Sequence, residues 1–374
     1  MKILHVIPYF APAWGYGGTP RAAFEIAKNQ VKYGHQVCVL TTDAFDEKSR
    51  LKKFEVIDGI KVFRAKNLSN FLTWKFHFVT PVNLPEEVNS NFDVIHLHEV
   101  RSLLNILVLL KFKAKKIVLS PWGTLPYNNS LVLIKKVVDF LFLPILRWKV
   151  DFSFAQTTHE EKVLKQFKIS KFQIIVPLGI DANFFSSLPS KLESRKKLKI
   201  DSNELLFVYL GRFSRYKGVD NLIHVFCQAI EKGIEAKLLL VGRDDGFLSQ
   251  IINTIKNKKI KDRVIVSGPL YEKDRLYAYQ AADWFISLPT VYEETSTTCL
   301  EALACGVPVI TNKFAQIPFM TIEDGVWHIG DKMVDQVNSI ILASKKKYKI
   351  DQNKVINIFN WQAITKQYLK IYEK

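Results

Sequence analysis

Short apolar runs alternate along the chain with longer segments in which apolar residues recur at helical spacing. In residues 2–42, KILHVIP is a short run rich in apolar residues, the segment from Thr19 to Gly34 has an apolar position every three or four residues, and HQVCVLTT is again a short run with an apolar centre. Runs of this kind are typical of buried strands, and the segment between them is typical of an amphipathic helix that ends at a glycine. The pattern therefore predicts an α/β fold with a parallel sheet covered by helices on both faces.

The same alternation begins again in the second half of the chain. ELLFVYLG, AKLLLVG, RVIVSG and DWFISLP are apolar runs, and a helical pattern follows each of them. A chain of 374 residues has room for two such domains. We predict doubly wound domains at 1–178 and 179–355 and a closing helical segment at 356–374, and we read the polar stretch 186–204 as a linker or an excursion. Because open parallel sheets bind ligands beyond the carboxyl ends of their strands, we expect the two domains to face a central cleft.

The charge of the chain favours anionic partners. The chain has 53 Lys and Arg against 36 Asp and Glu, a formal net charge of +17, which suits nucleic acid, phosphate-bearing substrates or an anionic membrane. Residues 111–149 carry eight basic side chains and one acidic residue, Asp139, interleaved with apolar runs. This stretch is either a basic, apolar surface for the inner leaflet of a membrane, or core helices whose lysines face water.

Several classes of protein are disfavoured by what the sequence lacks. Its four cysteines form no CxxC or Cys/His cluster, so a zinc site is not expected, and sparse cysteines among apolar neighbours suit a reducing compartment. The first ten residues read as a buried strand rather than a signal peptide. No apolar run reaches the length of a membrane span. We expect a cytoplasmic location, with any membrane contact peripheral and at the inner face.

The segment YEETSTTCLEALACGVPVIT, residues 292–311, joins a strand end to a hydroxyl-rich turn and a helix. Ser296 or Thr297 is the expected N-cap, which places Glu293 in the loop and Glu301 about one turn inside the helix. The amide groups and dipole of a helix N-terminus bind anions, and small hydroxyl side chains let a phosphate come close. A carboxylate can in addition accept hydrogen bonds from vicinal sugar hydroxyls. A capped surface helix with solvated glutamates is the alternative interpretation of the same residues.

Two further segments have residue types that suit a diphosphate. In LGRFSRYKG a predicted strand is followed by Arg212 and, five residues later, by Lys217. Arginine can hold phosphate oxygens with two parallel hydrogen bonds and lysine supplies a point charge, although a solvated basic turn would have the same sequence. In GYGGTP, Gly17 and Gly18 lie between the first strand and the first helix, where glycines allow the backbone to approach a phosphate.

Together these segments resemble the family-4 retaining glycosyltransferases of the GT-B fold. LGRFSRYKG is similar to that family's G-R-x-x-x-x-K-G segment, and EETSTTCLEALACGVPV to its E-x7-E segment. VPLGIDANFF resembles the segment that opens the second domain, and FNWQAITKQYLKIYE the closing helix that crosses back onto the first domain. The resemblance spans essentially the whole chain and is most specific in residues 205–311.

The resemblance implies a transfer of sugar from a nucleotide-diphosphate sugar to an acceptor hydroxyl, with anomeric retention, no metal and no cofactor. Arg212 and Lys217 would bind the diphosphate, Glu293 the transferred sugar and Glu301 the ribose. The diphosphate would also be held by Thr295, Ser296, Thr297, Gly17 and Gly18. The acceptor would be a saccharide or a lipid-linked saccharide, in the synthesis of bacterial polysaccharide, O-antigen, capsule, lipopolysaccharide or glycolipid.

The sequence departs from the family pattern at two places. The family's E-G-F-G reads EETS here, so Glu294 could take the place of Glu293 if the loop shifts by one residue. Many relatives carry a histidine where this chain has Trp122, and a tryptophan can stack on a sugar but cannot accept a proton. His96 and His98 end a neighbouring predicted strand, and we place His98 with Trp122 on the acceptor side.

Three rival functions remain open from the sequence. A hydrolysing nucleotide-sugar epimerase has the same architecture and would release the nucleotide without an acceptor. A non-catalytic protein that binds an anionic polymer would explain the charge, but the chain has no RRM, KH, OB or helix-turn-helix signature, so we expect no nucleic acid as partner. A non-catalytic sensor of nucleotide sugars would bind the donor without turnover. The sequence does not identify the base, the sugar, the acceptor or the oligomeric state.

Overall fold

The computed structural model describes residues 1–88, 91–127 and 131–374. The chain forms two compact units, one made of Met1–Gly179 with Trp361–Lys374 and the other of Ile180–Asn360. The N-terminal segment of the first unit ends at Gly179, one residue beyond the predicted end of the N-terminal domain at 178. The closing segment begins at Trp361 instead of 356, because residues 356–359 form the end of the helix Gln352–Phe359 and Asn360 also belongs to the second unit.

The first unit is built on one eight-stranded sheet. Its strands are β1 (Lys2–Val6), β2 (Gln36–Thr42), β3 (Phe54–Ile57), β4 (Ile60–Ala65), β5 (Asn91–His98), β6 (Lys113–Ser120), β7 (Phe152–Ala155) and β8 (Phe172–Ile175). Its helices are α1 (Gly18–Lys32), α2 (Asn70–Phe76), α3 (Leu103–Lys111), α4 (Val132–Lys149), α5 (Thr158–Phe167) and the C-terminal α13 (Trp361–Glu373), with a 3-10 turn at Trp14–Tyr16. The strand order is β3-β4-β2-β1-β5-β6-β7-β8, and only the β3–β4 pair is antiparallel.

Both faces of this sheet are covered, as the continuous apolar strands predict. Neighbouring residues of a strand point to opposite faces, and Leu4 belongs to a core cluster with Leu104 of α3 whereas Ile3 belongs to one with Ile364 and Tyr368 of α13. The C-terminal helix thus packs on the first unit, and the strand order changes direction between β1 and β5.

The second unit repeats the architecture with a six-stranded sheet. Its strands are β9 (Leu205–Leu210), β10 (Ala236–Val241), β11 (Val264–Gly268), β12 (Trp284–Ser287), β14 (Val309–Thr311) and β16 (Val326–His328), with β13 (Glu293–Thr295) and β15 (Ala315–Gln316) forming a separate pair. Its helices are α6 (Lys191–Leu198), α7 (Val219–Glu231), α8 (Leu248–Asn257), α9 (Asp274–Ala281), α10 (Thr297–Ala304), α11 (Met333–Ala343) and α12 (Gln352–Phe359), with 3-10 turns at Ala182–Phe185 and Arg215–Lys217. The strand order is β11-β10-β9-β12-β14-β16, and all neighbouring strands pair in parallel. The direction of the strand order changes between β9 and β12. The predicted α/β class with two doubly wound domains is confirmed.

The polar stretch 186–204 is not a linker. It contains α6, whose N-cap Ser190 accepts a hydrogen bond from the amide of Glu193. Arg195 of this helix is 3% exposed, and its guanidinium donates to the Asp283 carboxylate at 2.8 Å and to the Ala281 carbonyl at 3.0 Å. A buried arginine held by a carboxylate and a backbone carbonyl needs a fixed site, so this segment is an integral part of the second unit.

The sequence analysis also missed the antiparallel hairpin of β3 and β4. Its two-residue turn is Asp58-Gly59, and both residues have positive φ, 48° and 80°. Asp-Gly between short strands is a strong signal for such a turn, so the sequence contained the information.

Helix α4 presents apolar side chains to solvent. Of the basic stretch 111–149, residues 128–130 lie outside the described part, and the rest contains the end of α3, strand β6, helix α4 and connecting residues. Asp139, Leu143 and Leu146 face the core, whereas a stripe at helical spacing is exposed. We call this stripe the α4 apolar face; it consists of Leu133, Val137, Phe140, Leu141 and Trp148. The alternative interpretation, in which only lysines of this helix face water, is therefore wrong for α4.

Among the helices of the described residues, none combines the length and the apolar character needed to cross a bilayer. The four cysteines are free, with Cys227, Cys299 and Cys305 buried.

Candidate functional site

The residues singled out in the second unit collect where the strand order changes direction. Arg212 and Lys217 follow the end of β9, and Glu293 and α10 follow the end of the neighbouring strand β12. The carboxyl ends of two such strands flank the crevice in which doubly wound sheets bind ligands.

Gly218 lets the two loops of this crevice come together. It has a left-handed backbone, with φ of 65°, and joins the 3-10 turn Arg215–Lys217 to α7. A Cβ atom at this position would overlap the carbonyl oxygen of Leu288, just past the end of β12. The glycine of the K-G pair is thus required both by the backbone angle and by this close approach.

Lys217 and Glu293 form an ion pair. The Lys217 Nζ atom lies 2.6 Å from Glu293 Oε1, and the two side chains are 27% and 16% exposed. The backbone amide of Glu293 donates to the Phe314 carbonyl at 2.7 Å, which fixes β13 against the start of β15. A cation and a carboxylate, both partly withdrawn from water, therefore stand side by side at the crevice.

Arg212 is more exposed than Lys217. Its Nη1 atom lies 2.9 Å from Asp245 Oδ2, and the two side chains are 55% and 39% exposed. Its carbonyl accepts a hydrogen bond from the buried Tyr209 hydroxyl at 3.1 Å. Because an exposed ion pair contributes little stability, the guanidinium can exchange Asp245 for another anion at small cost. The sequence analysis did not identify Asp245, which lies in a different loop, after β10.

The N-terminus of α10 has no side-chain cap. Ser296 occupies the N-cap position as predicted, but its hydroxyl does not accept a hydrogen bond from the helix. Its Oγ atom is buried and has no hydrogen-bond partner among the residues that the structure describes. Thr295 before it is buried, and Thr297, the first residue of the helix, is exposed. The first amides of α10 and a buried hydroxyl thus offer donors for an anion.

Glu301 lies inside α10 and is held by α9. Its Oε1 atom is 3.2 Å from the Arg275 guanidinium, and its Oε2 accepts a hydrogen bond from the Tyr279 hydroxyl at 2.8 Å. Burial raises the pKa of Glu301, and the nearby Arg275 and the Tyr279 hydrogen bond oppose the rise. The sequence analysis missed both partners, although their spacing of four residues in DRLYAYQA places them on one helix face.

In the first unit, the predicted glycines form an open turn. Gly17 has φ of 110°, and Gly18 is the first residue of α1. A Cβ atom at either position would meet nothing within 4 Å. The turn is therefore accessible to a ligand at the end of β1.

Trp122 and His98, placed on the acceptor side by the sequence analysis, are bonded to each other. The Trp122 Nε1–H group donates to His98 Nδ1 at 2.9 Å, and the two rings stack with centroids 5.8 Å apart. Trp122 is partly buried, with φ of 56°, and His98 has no exposed surface. Because His98 is buried, a direct contact with an acceptor is disfavoured. His98 instead holds the Trp122 side chain through this hydrogen bond.

The orientation of His98 sets the hydrogen bonds of a second buried histidine. Because the indole can only donate, His98 Nδ1 must accept, so His98 Nε2 carries the hydrogen and donates to His5 Nδ1 at 2.9 Å. His5 Nε2 then donates to Gln30 Oε1 at 2.7 Å. Burial lowers the pKa of His5 to about 4 and that of His98 well below its usual range, so both rings are neutral at pH 7.

His96 completes a group of three histidines whose nitrogens could reach one metal ion, the one such group in residues 1–88, 91–127 and 131–374. Its Nδ1 lies 2.6 Å from the Tyr372 hydroxyl and its Nε2 lies 2.8 Å from the Ser120 hydroxyl. Every ring nitrogen of the three histidines therefore already has a hydrogen-bond partner, and the network ties α13 to β1, β5 and β6.

Two family models match the chain over nearly its full length. The model "Glycosyltransferase Family 4" matches residues 16–184, and "Glycosyl transferases group 1" matches residues 190–356. The chain belongs to the group 1/family 4 glycosyltransferases. The two matched ranges correspond to the two compact units, and the crevice with Lys217, Glu293 and α10 lies within the group 1 range.

Relatives of this glycosyltransferase include proteins of several named activities. An uncharacterized glycosyltransferase of Methanocaldococcus jannaschii is 22% identical over 100% of this chain and 98% of its own length. Alpha-monoglucosyldiacylglycerol synthase of Streptococcus pneumoniae is 30% identical, over 40% of this chain and 34% of its own. MMP alpha-(1->4)-mannosyltransferase of Mycolicibacterium hassiacum is 24% identical over 57% and 51%.

Solved structures share the fold over the whole chain. Sucrose-phosphate synthase of Thermosynechococcus elongatus has a TM-score of 0.74 at 18% identity and covers 100% of this chain and 98% of its own. HepE of Anabaena, in complex with UDP-glucose, has a TM-score of 0.72 at 18% identity and covers 100% and 99%. These neighbours identify the GT-B fold of this glycosyltransferase.

Proposed function

We propose that this glycosyltransferase transfers a sugar from a nucleotide-diphosphate sugar to an acceptor hydroxyl, with retention of anomeric configuration. The observation that carries the proposal is the meeting of an ion-paired lysine, a glutamate and an uncapped helix N-terminus at the point where the strand order of the second unit changes. That UDP-glucose is bound by HepE supports a nucleotide sugar as donor. The proposed setting is the synthesis of a bacterial polysaccharide or glycolipid.

In the proposed complex, the diphosphate lies at the N-terminus of α10. The backbone amides there and the buried Ser296 hydroxyl donate to its oxygens, and Lys217 and Arg212 neutralise the charge that grows on the leaving group. Glu293 accepts hydrogen bonds from hydroxyls of the transferred sugar with one carboxylate oxygen, and its other oxygen keeps the ion pair with Lys217. Glu301 accepts hydrogen bonds from the ribose hydroxyls, and its side chain is held in place by Arg275 and Tyr279. Two cations and a helix dipole are sufficient to hold the diphosphate, so we propose a reaction without metal or cofactor.

A thermal-shift panel tests the donor site. UDP, GDP, ADP and their common sugars are added at millimolar concentration to the wild type, Arg212→Ala and Lys217→Ala, with Lys256→Ala on the exposed end of α8 as the control for loss of one positive charge. One nucleotide family should raise the melting temperature of the wild type and of Lys256→Ala by mass action. The shift should be lost in Arg212→Ala and Lys217→Ala. A panel in which no nucleotide shifts the wild type would contradict a donor site in this unit.

We also propose that the α4 apolar face rests on an anionic membrane surface. Phe140 and Trp148 are 80% exposed and Leu133 is 79% exposed, and Lys136 and Arg147 are exposed on the same helix. Apolar side chains that enter the headgroup region, with basic residues beside them, are typical of helices that lie in the plane of an anionic leaflet. Each basic residue near such a surface adds about 1 kcal/mol of attraction. An acceptor that is a lipid-linked saccharide would be presented at the same surface.

Co-sedimentation with vesicles tests this surface. The wild type should bind vesicles of phosphatidylcholine with phosphatidylglycerol and should bind pure phosphatidylcholine weakly. Leu133→Ser should reduce binding several-fold, whereas Leu192→Ser on α6, where the leucine is 70% exposed, should leave it unchanged. Equal loss in both variants, or equal binding to both kinds of vesicle, would refute the assignment of the membrane contact to α4.

A further inference from the structure

One carboxylate of the second unit lies where the proposed function needs positive charge. The Asp245 carboxylate pairs with the guanidinium of Arg212, with 2.9 Å between Oδ2 and Nη1. Neither side chain makes another ion pair or side-chain hydrogen bond with the residues that the structure describes. Arg212 is one of the residues that we propose for the donor diphosphate, so an anion that binds here competes with Asp245 for the guanidinium.

The backbone places the two residues opposite each other. Strands β9 and β10 pair in parallel, and their pairing continues past the strand ends as a bridge between Phe213 and Asp244. The Phe213 amide donates to the Arg243 carbonyl at 2.9 Å, and the Asp245 amide donates to the Phe213 carbonyl at 3.1 Å. Because these hydrogen bonds join the segments that carry Arg212 and Asp245, the ion pair is a consequence of the backbone structure.

Gly242 lets the two segments come close together. A Cβ atom at this position would overlap the carbonyl oxygen of Gly211, which directly follows β9. The next carbonyl group, that of Arg212, accepts a hydrogen bond from the buried Tyr209 hydroxyl. The backbone of Arg212 is thus held in place, whereas its side chain is 55% exposed and can change partner without a change in the backbone.

The fold does not depend on Asp245 as it does on the neighbouring aspartate. The Asp244 carboxylate accepts hydrogen bonds from the amides of Phe247 and Leu248, at 2.9 and 3.0 Å, and so caps the start of α8. Asp245 bonds an exposed arginine instead, and exposed ion pairs contribute little stability. A role in ligand binding accounts for its position better than a role in folding.

The second cation of the site is held more firmly than Arg212. Lys217 and its partner Glu293 are 27% and 16% exposed, against 55% and 39% for Arg212 and Asp245. Ion pairs that are partly withdrawn from water are screened less than exposed ones. An incoming diphosphate therefore displaces Asp245 from Arg212 more readily than it displaces Glu293 from Lys217.

The donor and the product of the proposed reaction differ in charge. The terminal phosphate of a nucleoside diphosphate is a monoester-like group whose second pKa is about 6, so at pH 8 it has about one negative charge more than the esterified phosphate of a nucleotide sugar. A displaced carboxylate that remains beside the site repels both ligands, and it repels the more highly charged product more strongly.

We propose that Asp245 is a positioning residue that pairs with Arg212 in the empty site, gives it up to the donor diphosphate and competes for it again once the sugar has been transferred. This inference rests on the proposed transfer function and deepens it. Because the carboxylate repels the nucleoside diphosphate more than the nucleotide sugar, Asp245 makes the site favour donor over product and promotes product release.

Titration calorimetry at pH 8 tests the inference by comparing the Kd of each nucleoside diphosphate with that of its nucleotide sugar. The probe pairs are UDP with UDP-glucose, GDP with GDP-mannose and ADP with ADP-glucose. The variants are Asp245→Asn and Asp245→Glu. The matched control is Glu204→Gln, which removes one negative charge from an ion pair with Lys237, 2.7 Å long, at the opposite end of β9.

For the nucleotide that binds, Asp245→Asn should lower the Kd of the nucleoside diphosphate about tenfold and that of the nucleotide sugar about threefold. Asp245→Glu, which keeps the charge, should have the wild-type ratio of the two Kd values, and so should Glu204→Gln. In about 0.5 M NaCl the difference between Asp245→Asn and the wild type should shrink, because salt screens exposed charges. The melting temperature of Asp245→Asn without ligand should match the wild type, because the fold does not depend on this ion pair.

The ratio of the two Kd values separates this inference from the function on which it rests. If Asp245→Asn has the wild-type ratio, or binds the nucleoside diphosphate more weakly than the wild type does, the role of Asp245 is overturned and the transferase proposal stands. A wild type that binds neither ligand of any pair would overturn the proposed function itself, and this inference with it.

Discussion

Replacing Glu99 with glutamine should make the first unit more stable at pH 8. The pKa of this carboxyl is about 7 in the folded protein, against an ordinary value of 4.5, because the side chain is withdrawn from water. Below pH 4.5 the group is protonated in both the folded and the unfolded states, so its full contribution to stability is present. As the pH rises from 4.5 through 7, the unfolded state loses its proton first, and stability falls.

The size of the effect follows from the difference in pKa. Each unit is equivalent to about 1.36 kcal/mol, so Glu99 should cost the folded state about 3 kcal/mol at pH 8. Glutamine has no charge to desolvate, so Glu99→Gln should recover most of this free energy. For a unit of this size, about 3 kcal/mol corresponds to a rise of roughly 6–12 °C in melting temperature. Partial exposure of the carboxylate makes these figures upper bounds.

Calorimetry of wild type and Glu99→Gln at pH 8 and pH 5 measures the prediction, with Glu87→Gln as the control. The buried histidines, whose pKa values are lowered, have the opposite pH dependence, but they are the same in both proteins and cancel in the difference. The variant should gain stability at pH 8 and gain much less at pH 5. A variant that is less stable than the wild type at both values would show that Glu99 has a structural partner, and would refute the reasoning.

Two further changes test the packing of each unit. Tyr372→Phe should destabilise the first unit by about 1–3 kcal/mol, because His96 Nδ1 would be left buried without a partner; urea unfolding measures the loss, and an unchanged midpoint would contradict the hydrogen-bond network. Gly218→Ala should destabilise the second unit by at least about 1 kcal/mol, because of its positive φ and the overlap with the Leu288 carbonyl. Thermal unfolding measures this loss of stability. The control for the backbone angle alone is Gly233→Ala, because φ of Gly233 is also positive but a Cβ there would meet nothing within 4 Å.

Most elements that local patterns decide were predicted, with the β3–β4 hairpin as an exception, whereas an element that depends on distant contacts was not. The strands β1, β5, β9 and β12 are short and apolar, and each was predicted from its own residues. The stretch that contains α6 was read as a linker or an excursion because its sequence is polar. Its place in the fold depends on the contact of Arg195 with Asp283, 88 positions away. No local pattern reports such a contact.

The sequence by itself determined the two doubly wound units, the family and the positions of the residues with candidate chemistry, because hydrophobic periodicity and motif spacing are local properties of the chain. Only the tertiary structure decided the partner of each charge. It pairs Lys217 with Glu293, buries His98 behind Trp122 and leaves Glu99 without a cation. It also decided that α4 turns apolar side chains to solvent. These outcomes depend on which distant elements pack together, and burial and hydrogen bonding are properties of that packing rather than of any one segment.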